Sequence, residues 1–126
     1  NDEYLNSYWA DGLIVSTPTG STGYSLSCDG PIITPDAACL VITPIAPHNL
    51  NARPLIIPDH TEIRLKVTGR EDMYLVSLDS RTVSVANESV LSLKKTPFKI
   101  KMVELPNETF LQTLRSKLHW GDDKRN

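Results

Sequence analysis

The apolar positions of this chain fall into short runs that have the length and spacing of β-strands. Residues 12–17 and 39–43 are mostly apolar, and the first run ends at a turn signal, a pattern typical of buried strands. Residues 62–67 and 98–102 instead alternate apolar and polar positions, which predicts strands with one face in water. Together these four runs predict a chain built mainly of β-structure.

Turn residues separate the runs and help to decide between β architectures. Residues 73–78 and 82–85 flank Asp79-Ser80-Arg81, which has the length of a hairpin loop. Most of the nine prolines also stand between apolar runs, where a missing N–H group disturbs a sheet least. Many short strands divided by Pro and Gly turns favour a β-sandwich or a closed sheet over βαβ units. We therefore expect a single, mainly β, sandwich-like domain over residues 1–126.

Helical signals occur in two places. The one near the C-terminus sets four apolar side chains on one side of a helix: Phe110, Leu111, Leu114 and Leu118. Asn107 precedes them and is expected to cap this helix. A shorter helix is expected to begin at Ser21 or Thr22, after a loop of small residues.

Both ends of the chain are expected to depart from this core. Residues 1–10 include Asp2-Glu3-Tyr4-Leu5, which looks like the middle of a strand, so they are expected to form a strand of a longer parent chain. Residues 121–126, Gly-Asp-Asp-Lys-Arg-Asn, follow the C-terminal helix and predict a polar tail.

Charge and composition narrow the classes of partner. The formal net charge is −2 without a basic cluster, which argues against a nucleic-acid partner because phosphate contacts need grouped Lys and Arg. No run approaches the roughly 20 apolar residues of a membrane span, so no membrane partner is expected. The two cysteines, Cys28 and Cys39, make neither a disulfide framework nor a zinc site. We expect free thiols, no metal site and a cytoplasmic location.

The segment with the most chemical character is residues 11–27, in which a strand leads into a loop of Gly, Ser and Thr and then into a helix start. Such a loop offers hydroxyls, free N–H groups and the positive end of a helix dipole, which suit a phosphate or the hydroxyls of a ribose. It lacks the lysine of a P-loop and the spacing of a Rossmann fingerprint. From composition alone, a capped helix after a tight turn is equally compatible with this segment.

The full string of the segment resembles the signature of NAD kinases. The match covers Asp11-Gly12, residues 16–27 and Gly30-Pro31-Ile32. Four later stretches resemble the same family in the same order: residues 43–48, 53–55, 58–59 and 78–80. The resemblance extends over nearly the whole chain and is dense over residues 11–31.

This resemblance implies a two-domain enzyme of which the chain is the C-terminal, NAD-binding part. In the family, a phosphoryl group passes from ATP or polyphosphate to the 2′-hydroxyl of the adenosine ribose of NAD, which gives NADP. The N-terminal α/β domain carries a Gly-Gly-Asp-Gly loop with the phosphoryl donor and the catalytic aspartate, and this sequence contains no such loop. It is therefore expected to supply no catalytic residue and to be inactive alone.

The resemblance also implies partners beyond the dinucleotide. Mg²⁺ or another divalent metal is expected to accompany ATP, bound mainly by the missing domain. The family forms homo-oligomers, so a dimer or tetramer is expected. Three other interpretations stay open: a domain of a related lipid or sphingoid kinase, a non-enzymatic nucleotide-binding or assembly module, and a β-rich structural domain without a ligand.

Specific side chains are implied as dinucleotide contacts. Asp11 is expected to hold the nicotinamide end by accepting hydrogen bonds, unless it is only a turn residue before a strand. The residues that match the family's segment lining the NAD site are Thr22, Gly23, Tyr24, Ser25, Leu26 and Ser27. Thr22 is expected to cap the short helix as well as to face the ligand. Tyr24 is expected to lay its ring against a base or the nicotinamide, the alternative being a core tyrosine.

Two residues of the predicted hairpin complete the expected site. Asp79 matches an aspartate that the family carries near the transferred phosphate, although a purely structural hairpin role fits it equally well. Arg81 lies two positions further on, where some relatives place another NAD contact.

Overall fold

The computed structural model describes residues 2–122, and its contacts divide them into two compact units. Unit 1 contains residues 2–4 and 59–96, and unit 2 contains residues 5–58 and 97–122. The single domain expected over residues 1–126 remains a prediction. Of the predicted polar tail, Gly121 and Asp122 are exposed, and the rest lies outside the described residues.

Unit 2 is built on a three-stranded antiparallel sheet in the order β1-β2-β3. Its strands are β1 (Gly12–Ser16), β2 (Cys39–Ile45) and β3 (Leu55–Pro58). The first two confirm the strands that the apolar runs predict; β2 is buried over residues 40–44, as predicted, whereas β1 is only half-buried along its length. The third was not predicted from the sequence; it lies at the edge of the sheet, where a terminal proline such as Pro58 is tolerated.

The middle strand β2 supplies most of the core of unit 2. Val41 is 0% and Ile42 is 2% exposed, and Ile33 and Leu114 join them among the buried apolar side chains. Burial of one such side chain stabilises a fold by roughly 1.5–3 kcal/mol. Thr43, the next residue of β2, is also fully buried. A group that contacts Thr43 is therefore held against the core of unit 2.

The loop after β1 forms two short helical pieces rather than one helix. A 3-10 turn spans Thr19–Thr22 and α1 spans Tyr24–Ser27. Gly23 separates them, with φ of −89° and ψ of −133°, and is the N-cap of α1. No side chain caps α1, so the capping role predicted for Thr22 is wrong. The reason is that the chain leaves helical geometry at Gly23, one residue after Thr22.

The C-terminal helix is confirmed as α2 (Phe110–Leu118), but its cap is not Asn107. Thr109 Oγ1 accepts from the Gln112 backbone N–H at 3.2 Å, and the Gln112 side chain accepts from the Thr109 N–H at 3.3 Å. This reciprocal capping box requires the residue directly before the first helical turn. Asn107 lies too early and adopts a left-handed turn conformation with φ of 72°.

Unit 1 contains two antiparallel strand pairs. β4 (Ile63–Lys66) pairs with β7 (Val90–Leu93), and β5 (Met73–Leu78) pairs with β6 (Arg81–Ala86). The β5–β6 pair confirms the predicted hairpin. Its loop has two residues rather than three, because Arg81 pairs with Leu78 as the first residue of β6.

Two strand predictions are wrong. Residues 98–102 join no sheet of the described chain, and their apolar side chains are exposed, as Ile100 at 87% shows. Residues 2–9 likewise form neither helix nor strand. A strand needs a neighbour for its main-chain N–H and C=O groups, and the described sheets place none beside either segment.

The fold class predicted from the sequence is confirmed: mainly β, with a short helix after the small-residue loop and a helix near the C-terminus. Cys28 and Cys39 are free thiols, as predicted, and both are half-buried. Within residues 2–122, no helix has the length and apolar character needed to cross a membrane.

Candidate functional site

The chain after β1 turns back over the sheet of unit 2. Thr43 on β2 lies opposite Ile14, the middle residue of β1. Ser25 Oγ lies 2.9 Å from Thr43 Oγ1, within hydrogen-bond distance. The segment that leaves β1 at Ser16 has therefore folded back until α1 stands over the centre of the sheet.

Two buried serines hold this segment in place. Ser21 is 0% exposed; its hydroxyl accepts from the Ile33 N–H at 3.0 Å and donates to the Pro18 carbonyl at 2.6 Å. Ser25 is 1% exposed and is bound to Thr43. Both hydroxyls are buried although they belong to different helical pieces, so each piece turns one serine toward the interior of unit 2. The buried side of each piece is thus fixed to the rest of unit 2.

Gly30 closes the segment behind α1. Its N–H donates to the Ser25 carbonyl at 2.8 Å. A Cβ atom at this position would lie 2.2 Å from Ser25 Oγ and 2.7 Å from the Ser25 carbonyl oxygen. Glycine is required here by close approach of the backbone, and the chain fits against Ser25 only because a side chain is absent.

The opposite side of the segment faces solvent. Thr22, Gly23, Tyr24 and Ser27 are all exposed, and Leu26 is half-buried. Tyr24 is 63% exposed, which excludes the alternative of a core tyrosine. The buried serines and the exposed residues thus divide the segment into an anchored face and an outward face. We call Thr22, Gly23, Tyr24 and Ser27 the outward face.

Ser25 is the predicted contact whose side chain lies on the anchored face. Its hydroxyl is buried and occupied by Thr43. A ligand contact through that hydroxyl is therefore not supported. Ser25 instead fixes the position of Tyr24 and Ser27 by its bond to Thr43. No local sequence signal separates it from Ser27, because its partner is 18 residues away in the chain.

Asp11 stands at the other end of β1 and is exposed. Its N–H donates to the Ile45 carbonyl at 2.9 Å, which extends the pairing of β1 with β2 by one residue. Among residues 2–122, no hydrogen bond or ion pair is made by its carboxylate. An aspartate that serves a turn usually bonds its own backbone, so the carboxylate is left available to a ligand.

The loop after β2 lies beside Asp11 and escaped prediction from the sequence. Ala46 directly follows Ile45 and has a φ of 47°, in the left-handed region that a residue with a Cβ rarely adopts. The N–H of His48 donates to the Trp9 carbonyl at 2.7 Å. This bond ties the strained loop to the residues that lead into β1. Prolines at positions 44 and 47 were the only local sign of unusual backbone here.

A small cleft lies between the segment and α2. It has a volume of about 180 Å³ and is lined by Thr22, Leu26, Phe110, Thr113, Leu114, Lys117 and Leu118. Ligand pockets usually span roughly 300–1,000 Å³, so this cleft is too small for a dinucleotide. Its walls show that α2 stands beside the segment; of the outward face, Thr22 borders the cleft, and Gly23, Tyr24 and Ser27 are not among its lining residues.

The remaining two predicted contacts are in unit 1. Asp79 occupies the hairpin loop with φ of 55°, a conformation that Asp and Asn tolerate better than other residues with a side chain. Arg81 is exposed at the start of β6. The hairpin role proposed for Asp79 is thus visible in the backbone, while its role as an acid remains a prediction.

Paired substitutions separate the two roles of Asp79. In the intact protein, Asp79→Ala is expected to destabilise the fold by roughly 1–2 kcal/mol, because alanine opposes the left-handed conformation. Asp79→Asn keeps the turn and removes only the charge, so its unfolding midpoint in urea is expected to match the wild type. Loss of activity in Asp79→Asn at full stability would show that the carboxylate also acts as an acid.

Cation ligands do not gather in the described chain. Within residues 2–122, no group of three or more His, Cys, Asp or Glu side chains stands close enough to hold a metal ion. The site consists of hydroxyls, one aromatic ring and one carboxylate, which suit hydrogen bonding and stacking with an organic ligand.

The chain is similar in sequence to NAD kinases. A family model described as ATP-NAD kinase C-terminal domain matches residues 1–105. The NAD kinase of Flavobacterium psychrophilum is 78% identical over 126 residues, which are all of this chain and 43% of that protein. The NAD kinase of Bacteroides fragilis is 46% identical over 125 residues, again 43% of its length. The chain thus spans less than half the length of the relatives that it matches.

Solved structures give the same fold. Yeast NADH kinase complexed with NADH matches with a TM-score of 0.74 and 27% identity, over 96% of this chain and 38% of that one. An NAD kinase from Archaeoglobus fulgidus in complex with ATP matches with a TM-score of 0.65 and 29% identity, over 75% of this chain and 36% of that one.

Proposed function

The chain belongs to the ATP-NAD kinase C-terminal domain family, and we propose that, within a longer enzyme, it binds NAD and presents the adenosine ribose for phosphorylation. The product is NADP. The observation that carries this proposal is the outward face of residues 22–27, which stands exposed on an anchored segment. A binding surface needs such support, because a ligand gains little from groups that must first be ordered.

Each exposed group has a part that its chemistry suits. The Tyr24 ring offers a flat apolar surface for the adenine or the nicotinamide, an interaction worth about 0.5–1.5 kcal/mol beyond area burial. The hydroxyls of Thr22 and Ser27 donate to and accept from ribose hydroxyls. The Asp11 carboxylate accepts from the carboxamide NH₂ or from a ribose hydroxyl. Gly23 has no side chain and therefore leaves space for the ligand between Thr22 and Tyr24.

These contacts contribute to the reaction by positioning. Phosphoryl transfer needs the attacking hydroxyl in line with the terminal phosphate, and correct placement supplies much of the rate enhancement. When the base, the ribose and the nicotinamide are all held, only the 2′-hydroxyl of the adenosine ribose is directed to the phosphoryl donor. Removal of its proton falls to the aspartate of the N-terminal domain implied by the resemblance.

The phosphoryl donor and its cation belong to the same proposal. ATP or polyphosphate, with Mg²⁺ or another divalent metal, is bound mainly by that N-terminal domain; the metal offsets negative charge on the donor. Arg81 adds a cationic contact to the dinucleotide, and Asp79 an acid near the transferred phosphate. The part of this chain in the reaction is to direct the dinucleotide.

We further propose that the enzyme is cytoplasmic and homo-oligomeric, as a dimer or a tetramer. The support for the oligomer is the family resemblance. The support for the location is the pair of thiols, Cys28 and Cys39, which remain free and form no disulfide.

The test is an assay of the full-length enzyme with NAD, ATP and Mg²⁺, comparing the wild type with Tyr24→Ala. The wild type is expected to form NADP. Loss of the ring is expected to raise the KM for NAD about two- to tenfold, the equivalent of the stacking energy, with the KM for ATP unchanged.

Tyr74→Phe provides a control for loss of a tyrosine group elsewhere, since the Tyr74 hydroxyl donates to the Ser89 carbonyl in unit 1. If the well-folded wild type phosphorylates a lipid or a sphingoid base and not NAD, the proposal is wrong and the lipid kinase interpretation is correct. NAD binding without turnover by any donor would favour a binding module.

A further inference from the structure

The buried hydroxyl pair Ser25–Thr43 joins the proposed binding segment to the middle strand of the sheet. Thr43 is 0% and Ser25 is 1% exposed, and their oxygens are 2.9 Å apart. Neither side chain reaches the surface, so neither contacts a ligand directly. Ser25 and Thr43 can therefore affect binding only indirectly, through the positions of neighbouring residues such as Tyr24 and Ser27.

Helix α1 depends on this contact for its conformation. It has four residues and no side-chain cap, and isolated helices shorter than about 12 residues are marginal even in favourable sequences. Tyr24 and Ser27 belong to these same four residues. Their direction therefore depends on the bonds of Ser25: its hydroxyl to Thr43, 18 residues away, and its carbonyl to the Gly30 N–H in the turn that follows α1.

The register of the sheet explains why the anchor is at position 43. Thr43 belongs to β2 and lies opposite Ile14 in the antiparallel pairing of β2 with β1. Val41 and Ile42 on the same strand are fully buried. Thr43 follows these two residues, so its hydroxyl is held in place by the buried strand. It can therefore fix the position of the short helix α1 through Ser25.

We propose that Thr43 is a positioning residue for the dinucleotide, acting through Ser25 on the direction of Tyr24 and Ser27. The proposal rests on the proposed function, because it assumes that these two residues contact NAD. It assigns to Thr43 a role in substrate affinity although the residue is wholly buried.

The test compares Thr43→Val with Thr43→Ser in the full-length enzyme. Valine keeps the shape and removes the hydroxyl, which leaves the Ser25 hydroxyl without its partner. The KM for NAD is expected to rise about tenfold, the equivalent of about 1.4 kcal/mol, while the KM for ATP stays unchanged. Serine restores the hydrogen bond without the methyl group, so Thr43→Ser is expected to recover most of the NAD affinity.

A neighbouring core substitution controls for stability alone. Ile42→Val shortens a buried side chain, 2% exposed, on the same strand but the other face of the sheet. It is expected to lower the melting temperature and leave the KM for NAD unchanged. If Thr43→Val behaves like Ile42→Val, with a lower melting temperature and wild-type NAD affinity, the proposal is overturned.

A double-mutant cycle isolates the bond. Ser25→Ala removes the same hydrogen bond from the other partner, so the pair Ser25→Ala and Thr43→Val is expected to raise the KM for NAD no more than the worse single change. Additive effects would contradict the proposal, as would equal losses in Thr43→Val and Thr43→Ser. If Thr43→Val does not fold, Ser25→Ala and Thr43→Ser carry the comparison. Failure of the wild type to bind NAD would instead overturn the proposed function itself.

Discussion

Alanine in place of Gly30 is expected to lower the melting temperature of the full-length enzyme and to weaken NAD binding at the same time. The new Cβ would lie 2.2 Å from Ser25 Oγ and 2.7 Å from the Ser25 carbonyl oxygen. Atoms cannot remain at these distances, and one of them is backbone, so rotation of a side chain is not enough to relieve the contact. Ser25 must move, and the rest of α1 must move with it.

The cost of this substitution follows from overpacking of a closely fitted region. Insertion of one carbon into such a site costs typically about 1–3 kcal/mol, and more where backbone must shift. Circular dichroism on heating measures the loss of stability, and titration calorimetry with NAD measures the loss of affinity. We expect the affinity to fall at least about tenfold, since every 1.4 kcal/mol is a factor of ten.

Gly69→Ala is the matched control. It makes the same chemical change, and a Cβ at that position would meet nothing within 4 Å. Stability and NAD affinity are expected to stay at the wild-type values or, for stability, to rise slightly through the smaller entropy of the unfolded chain. Similar behaviour of the two variants would show that the close approach of Gly30 to Ser25 is not what orders the segment.

Asp11→Asn is expected to cause the second large effect, on NAD alone. A hydrogen bond to a charged group is worth about 1.5–3 kcal/mol, so kcat/KM for NAD is expected to fall about ten- to a hundredfold. Asparagine keeps the size of the side chain and leaves the backbone bond from position 11 to the Ile45 carbonyl intact. The melting temperature should therefore be unchanged, which separates ligand contact from a role in the turn.

Asp36→Asn serves as the control for loss of one negative charge. Asp36 is exposed and follows Pro35 in a turn of unit 2, and it is not among the expected NAD contacts. Steady-state kinetics at fixed saturating ATP, for both variants, measure the difference. Equal and small changes in kcat/KM would mean that the Asp11 carboxylate does not contact NAD.

The features predicted correctly from the sequence are those that local pattern determines. The strands β1 and β2 follow from continuous apolar runs, although only β2 is buried, and the hairpin of unit 1 follows from two runs around a short polar loop. The failure at residues 98–102 has a physical cause: alternation states that one face can be buried, but pairing depends on a partner strand elsewhere in the chain. The same holds for β3 and β7, whose four-residue runs are too short to signal a strand alone.

The site divides in the same way. Residues 11–27 stand out from composition, and the family resemblance names the individual contacts. What the sequence does not reveal is which side of a short polar helix is buried. Ser25 and Ser27 are chemically identical, and only Thr43, 18 residues further along the chain, distinguishes the anchored serine from the exposed one.

The position of β2 between two neighbours has a consequence for motion. A strand that is hydrogen-bonded along both edges opens last, and its amide protons exchange with solvent most slowly. The four-residue helix α1, by contrast, can open in a local fluctuation that leaves the sheet intact. Thr43 is paired with β1 and directly follows the stretch of β2 that has a partner on both sides. It thus links this strand to α1, which we expect to open more readily. Because the Thr43 hydroxyl offers Ser25 the same partner after each local opening of α1, we expect the outward face to re-form in one conformation rather than in several.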